Sequence, residues 1–378
     1  MRFFFSSRLF ISLVSSFSLV AGLIIGDPVL LAVKGTYPRA IRLQDGSLLA
    51  TLSYATPGAL AGYQVIATVT SHDEGNTWQD YGVVIDQPGD NWNQFLLQLP
   101  DGRVLCAVHD HQYAEDQKTF TEFRTTIFSS DDLGKTWSPL SVPERRKAAL
   151  DPDNNGMWEP FLRLSNDGVL QLYYSSENNR DDQNSLLRTS IDGGKSWSNA
   201  KTISGGDVRA RDGMLGVANY GGSKLIAVFE TTLNGHFEVW SVKSEDDGAT
   251  WGPRQRVYAT EDPKANAGAP QVSFVGGTLV CSFMTDEDKP LGQWAKGAAM
   301  KVLTSIDGGG TWTDKTTIFS NEPSTYWPGL LTLDNNTFTA MVEQDGPKAK
   351  KVQLKEVVPP SPPASGCKRR PRRRAPQA

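Results

Sequence analysis

At 378 residues, with 35 glycines and 10 tryptophans, the chain has room for two ordinary domains and the composition of a turn-rich, aromatic-packed protein. Its net charge of −4 hides six positive charges in the last eleven residues, Lys368 to Arg370 and Arg372 to Arg374. The body is therefore mildly acidic, and nucleic acid is not expected as a partner. Three cysteines make no disulfide framework: Cys106 and Cys281 are expected mid-strand as buried thiols, and Cys367 lies in the tail.

Residues 1–26 place Arg2 and Arg8 ahead of an apolar run, residues 9–25, broken by serines. That is the build of a secretory signal peptide, with cleavage near Ala21-Gly22, and too short a run for a membrane span. A secreted, extracellular and monomeric protein is expected, with no stable membrane insertion after cleavage. Residues 27–358 read as one domain. From Pro359 to Ala378 the composition is Pro/Ser/Arg-rich and is expected to be disordered. The one glycosylation sequon, Asn335-Asn336-Thr337, falls on an expected turn.

A pattern Ser-x-Asp-x-Gly-x-(Thr/Ser)-Trp begins at Ser71, Ser130, Ser190, Ser244 and Ser305, with successive copies 59, 60, 54 and 61 residues apart. Such a period marks repeated supersecondary units. Within a copy, the Asp accepts backbone N–H bonds, the Gly takes a positive φ, and the Ser and Thr hydroxyls tie the same turn. A calcium loop is the competing interpretation, but the spaced acidic ligands and terminal Glu are missing. A second repeat runs between the boxes: an apolar strand, a Gly- or Asn-bearing turn, and another apolar strand. It starts at Ile41, Leu97, Leu162, Val217, Val272 and Leu331. Six hairpins against five boxes predict an all-β fold, a six-bladed β-propeller of four-stranded antiparallel blades. The sixth unit lacks its box, so the ring is expected to close there. A strand near residues 28–33 should pair beside residues 352–357 of the last blade.

Ligands of a propeller sit at the axial mouth. Entering the first strands are Tyr37-Pro38-Arg39, Trp92-Asn93-Gln94, Trp158-Glu159-Pro160, Arg211-Asp212-Gly213, Gly268-Ala269-Pro270 and Tyr326-Trp327-Pro328. Eight residues after each turn Gly, leaving the second strands, are Tyr54, Asp110, Ser176, Glu230 and Thr285. Glu230 ends an apolar run, conditions that raise a carboxyl pKa and suit a general acid. Glu159 sits between Trp158 and Pro160, with Arg163 and Arg188 expected near enough to keep it ionised. Two such carboxylates are the minimum equipment for glycoside hydrolysis. Trp92, Trp158, Tyr326, Trp327 and Tyr54 would stack on sugar faces, with Arg39, Asn93, Asp110 and Asp212 as polar contacts. His109 and His111 share a strand face with no third ligand evident in sequence, so neither a metal nor any other cofactor is expected.

The five boxes resemble the Asp-box, or BNR, repeats of the sialidase superfamily, from Tyr37 to about Val358. Within it, Trp158-Glu159-Pro160, Ala227-Val228-Phe229-Glu230 and Ser324-Thr325-Tyr326-Trp327-Pro328 most resemble the fungal exo-α-1,5-L-arabinanases of glycoside hydrolase family 93. That resemblance implies a retaining enzyme releasing arabinobiose from linear plant cell-wall arabinan. It also implies Glu159 and Glu230 as the catalytic pair, with Tyr326 beside them. The surroundings of the two suggest Glu159 as nucleophile and Glu230 as acid/base. A sialidase, with Tyr326 as nucleophile and Glu230 as its base, is the alternative. Its three-arginine clamp would need more than Arg39 and one of Arg209 or Arg211, and no Arg occurs between Arg256 and Arg369. A non-catalytic glycan-binding propeller is a third possibility.

Overall fold

The structure, a computed structural model, describes residues 20–55, 63–116, 118–148 and 155–356. The expected tail, Cys367 and most of the expected leader lie outside these residues. Among the described residues all regular elements are strands, and no helix is long and apolar enough to cross a membrane. The strands form six antiparallel sheets, five of them taken in chain order from the inside outward.

Blade 1 is Thr36–Arg42, Leu48–Ala55, Gln64–Ser71 and Gln79–Asp86. Blade 2 is Asp90–Gln98, Val104–Tyr113, Phe120–Ser130 and Ser138–Lys147. Blade 3 is Met157–Leu164, Leu170–Asn179, Asp182–Ser190 and Lys201–Ser204. Blade 4 is Gly213–Gly221, Lys224–Thr231, Glu238–Ser244 and Gln255–Tyr258. Blade 5 is Ala267–Val275, Thr278–Thr285, Ala299–Ser305 and Thr313–Phe319. Each first strand touches the first strand of the next blade, and the sixth touches the first, so the ring is closed.

Blade 6 takes Tyr326–Thr332, Thr337–Glu343 and Pro347–Glu356 from the end of the chain and its outermost strand from the beginning. The pairing partner differs from expectation. Val20–Ile25 supplies most of that strand, running antiparallel from Val20 opposite Glu356 to Ile25 opposite Val352, and only Val29–Leu30 of the expected segment joins it. The missing sixth box follows from this closure. Every box lies at the corner between the third and fourth strands of its blade, and in blade 6 the chain has no such corner because those two strands come from opposite ends.

The five corners are tied alike. In the first, Ser71 Oγ donates to Asp73 Oδ1 at 2.8 Å and accepts the Gly75 N–H at 2.8 Å. The Thr77 N–H and hydroxyl donate to the two Asp73 oxygens at 2.9 and 2.6 Å. The same bonds recur around Asp132, Asp192, Asp246 and Asp307. All five lie at the outer edge, away from the axis.

Burial follows the blade order. The second strand of blade 5 is wholly buried between its neighbours, whereas the outermost strand of blade 2 has no buried residue. Apolar side chains on facing blades interdigitate into six separate cores, one for each blade-to-blade seam. The seam between blades 6 and 1 is the smallest of them. Cys106 and Cys281 are free thiols buried in two different seams, as expected.

A seventh cluster lies on the axis, and its cause is a repeated backbone irregularity. In each innermost strand the pairing slips by one residue, between Thr36 and Arg39, Trp92 and Phe95, Trp158 and Phe161, Gly213 and Gly216, Gly268 and Gln271, and Tyr326 and Gly329. At each slip one non-glycine residue takes a left-handed conformation: Tyr37, Asn93, Glu159, Met214, Ala269 and Trp327, with φ between 49° and 55°. Such a residue costs about 1 to 3 kcal/mol and is held only where its surroundings impose it. The bulge re-aims one side chain per blade, and four of the six, Tyr37, Met214, Ala269 and Trp327, pack together on the axis.

Candidate active site

Glu159 of blade 3 and Glu230 of blade 4 are bound to this ring in the same way. The Met214 N–H, from the bulge of blade 4, donates to Glu159 Oε2 at 3.3 Å. The Ala269 N–H, from the bulge of blade 5, donates to Glu230 Oε2 at 2.7 Å. Each carboxylate is thus gripped by the bulge residue of the next blade. Glu230 reaches its donor because the intervening position is glycine: a Cβ on Gly268 would stand 2.5 Å from Glu230 Oε2.

Burial pushes the Glu159 carboxyl up to about 7; the Glu230 charge adds to this, while the Ser175 hydroxyl, the Met214 N–H and the Arg211 guanidinium offset part of it. Burial likewise pushes Glu230 up to about 7, against its bond from Ala269 and the charge of Arg211. The cation whose charge lowers both carboxyls is therefore Arg211, itself anchored on Glu177 Oε1 at 2.7 Å and Gln183 Oε1 at 2.6 Å. Arg163 is engaged by Asp247 and Arg188 by Glu144, so the expectation that these two hold Glu159 ionised is corrected.

Arg39 is buried on the same axis. Its guanidinium lies 3.9 Å over the Tyr37 ring and donates through Nη1 to the carbonyls of Pro38 and Trp327, while Nη2 has no partner. Burial pushes the Tyr37 hydroxyl up to about 12. Trp327 sits 6.2 Å from the Tyr37 ring, and Tyr326 is half-buried at the pre-bulge position of blade 6. Asn93 and Trp92 are half-buried on the rim of blade 2.

Four expected binding residues have other surroundings. The residue facing each pre-bulge position across the hairpin is Ser53, His109, Ser175, Glu230, Met284 or Glu343. It lies seven residues after the turn glycine in blades 1, 2, 3 and 5 and eight only in blade 4, because the turns differ in length. Counting eight overshoots by one residue, which turns a strand side chain to the opposite face. Tyr54 accordingly lines a lateral cleft of about 480 Å³, under Lys34 Nζ at 4.0 Å. Asp110 is satisfied on the far face of blade 2 by Arg124 at 2.7 Å, Thr126 and Gln112. Asp212 precedes the ring by two residues and is buried against Arg254 at 2.9 Å. Trp158 packs edge-on against His109 and His111, with centroids 5.1 and 4.7 Å apart, rather than on the axis.

Sequence reasoning missed Met214 as a ring member and Trp294, which stands on the loop after the second strand of blade 5. A Cβ on Gly268 would come within 3.0 Å of the Trp294 ring, so this aromatic borders Glu230. It also missed Glu343, the sixth-blade counterpart of Glu230, whose carboxyl burial also pushes up. The ring residues Tyr, Asn, Glu, Met, Ala and Trp share no chemistry, so no motif marks them.

The family model of the BNR repeat-like domain matches residues 33–210. No curated relative matches the sequence. An α-L-arabinanase of Penicillium chrysogenum complexed with arabinobiose superposes with a TM-score of 0.67 at 22% identity, covering 89% of this chain and 98% of that one. A family 93 α-L-arabinofuranosidase of Fusarium graminearum with arabinobiose gives 0.66 at 23%, covering 90% and 98%. A sialidase of Streptococcus pneumoniae gives 0.58 at 11%, covering 92% and 71%. The chain thus resembles a BNR repeat-like domain over residues 33–210 and is built on the six-bladed propeller fold that these arabinanase, arabinofuranosidase and sialidase structures share.

Proposed function

We propose that the protein is a retaining glycoside hydrolase, an exo-α-1,5-L-arabinanase that releases arabinobiose from linear arabinan. The observation that carries this reading is the pair of desolvated carboxylates, each held by a backbone N–H of the neighbouring bulge, with the Glu230 charge raising Glu159. Full-length similarity to two proteins solved with arabinobiose supports the choice of sugar. A propeller that only binds glycan has no use for two carboxylates whose burial is costly.

Two observations favour roles opposite to those expected from sequence. Glu230 has the shorter bond from a backbone N–H, which stabilises an anion, and its charge in turn helps to keep the proton on Glu159. Glu230 then attacks the anomeric carbon as Glu159 gives its proton to the departing glycosidic oxygen. Water next attacks the same carbon, returns a proton to Glu159 and frees Glu230. Tyr326, Trp327, Trp92 and Trp294 offer aromatic faces to the sugar.

The guanidinium of Arg39, buried over the Tyr37 ring, is what favours the sialidase alternative. The clamp is not assembled among the described residues, however, since Arg211 is committed to Glu177 and Gln183 and Arg209 is exposed. The experiment is incubation with linear 1,5-arabinan and with a fluorogenic sialoside. Arabinobiose is expected from the first and no turnover from the second. Glu159→Gln and Glu230→Gln should each lower kcat by at least about 10²-fold. Azide should rescue Glu159→Ala with a product of retained configuration. Rescue of Glu230→Ala with retention would reverse the roles, and full activity in either Gln variant would sink the site.

A further inference from the structure

Blade 2 carries a cluster that the proposed reaction does not use. Asp90 opens its innermost strand and stands opposite His111 in the register, while Trp92 stands opposite His109. The two imidazoles project from the same face of the second strand and stack 4.4 Å apart. Both are buried.

Their outer nitrogens are fixed by acceptors. His109 Nδ1 lies 2.6 Å from Asn93 Oδ1, and His111 Nε2 lies 2.8 Å from the Met157 carbonyl. An amide oxygen and a carbonyl can only accept, so those two nitrogens carry the hydrogens. The remaining nitrogens, His109 Nε2 and His111 Nδ1, present lone pairs, are buried and have no hydrogen-bond partner. They converge on Asp90 Oδ2, at 3.4 and 4.0 Å. All three acceptor atoms lie within 4.8 Å of one another.

Three acceptors facing one another without a donor repel. A single proton would relieve one pair, whereas a cation between them satisfies all three. Zinc bonds of about 2.0 to 2.1 Å in a tetrahedron separate ligand atoms by about 3.3 to 3.4 Å, close to the shorter of the two distances here. Hydrogen bonds on the outer nitrogens, from each ring to an oxygen, are the arrangement that orients metal-binding imidazoles. Arg124, whose charge reaches His111, is neutralised by Asp110 on the opposite face of the strand.

We infer that Asp90, His109 and His111 bind a divalent transition-metal ion, with two imidazole nitrogens and one carboxylate oxygen suiting Zn²⁺. The ion would lock the first two strands of blade 2 together beneath Asn93. Through the Met157 carbonyl and the Trp158 ring it would also brace the strand of blade 3 that carries Glu159.

The test uses the untagged full chain, stripped with dipicolinate and titrated with Co²⁺ and then Zn²⁺. One Co²⁺ per chain is expected, with visible ligand-field bands that Zn²⁺ abolishes, and a Tm that rises on Zn²⁺ addition. Asp90→Asn should weaken uptake at least about tenfold, and His111→Gln likewise, while Asp110→Asn, on the other face, leaves it unchanged. If Asp90→Asn fails to fold, the wild-type Co²⁺ spectrum decides alone. A chain that takes up neither ion, or one whose uptake survives both Asp90→Asn and His111→Gln, overturns the proposal. In the first case the cluster shares a proton; in the second the metal is adventitious.

Discussion

One tight constraint in the site falls on a residue without a side chain. A Cβ at Gly268 would press on both Glu230 Oε2 and the Trp294 ring, at 2.5 and 3.0 Å. Gly268→Ala therefore displaces a carboxylate while leaving the fold's seams intact. The expected outcome is a kcat about 10²-fold lower with Tm nearly unchanged, measured by steady-state arabinan hydrolysis and thermal unfolding. Wild-type kcat in that variant would separate Glu230 from the reaction. That Glu159 and Glu230 would be drawn toward the ring of bulges was legible in the sequence, because Glu230 ends an apolar strand and Glu159 stands at a strand entrance between Trp158 and Pro160. Tyr54 and Asp110 were misplaced by a slip of one residue, and nothing local signals a turn one residue shorter or longer. Asp212 was misplaced because Asp212-Gly213 looks like a strand entrance, while the bulge that aims side chains at the axis comes at Met214.

Among the elements, the outermost strand of blade 6 has the most exposed dependence on the chain's beginning. Leu23 and Ile25 pack against the seam of blades 5 and 6, and Val20–Ile25 covers the edge of Pro347–Glu356. If the expected leader is removed near Ala21-Gly22, residues 22–25 remain to pair. A chain starting at Asp27 should lose roughly 2 kcal/mol of stability relative to one starting at Gly22, from two half-buried apolar side chains. Urea denaturation of the two chains checks this. Equal midpoints would mean that the strand contributes nothing. The box corners were read correctly as architecture, since their bonds are local and their letters encode them.

For the whole molecule, charge links stability and activity to pH in opposite senses. Bonds from the Thr77 and Thr250 hydroxyls and N–H groups hold Asp73 and Asp246 at about 2, below their ordinary 3.8. A depressed carboxyl stabilises the fold above its ordinary value, and that contribution disappears as pH falls from about 4 to 2. Glu159 and Glu230, raised from 4.5 to about 7, act the other way: ionising them disfavours the folded state as pH rises through that window. Tm should therefore peak near pH 4 to 5. By contrast, kcat/KM should be bell-shaped about pH 7, where one of the pair holds a proton and the other has lost it. Thermal scans and rate profiles over the same buffers check both, and coincident optima would contradict the assignment of those two carboxyls. The sequence alone determined the blade count, the corners and the incomplete sixth unit, because turns and strand alternation are local and repeat with the chain. Only the tertiary structure decided which residues meet on the axis. There the ring is assembled from six bulges some 55 to 66 residues apart, and a one-residue slip in any of them exchanges a core side chain for a functional one.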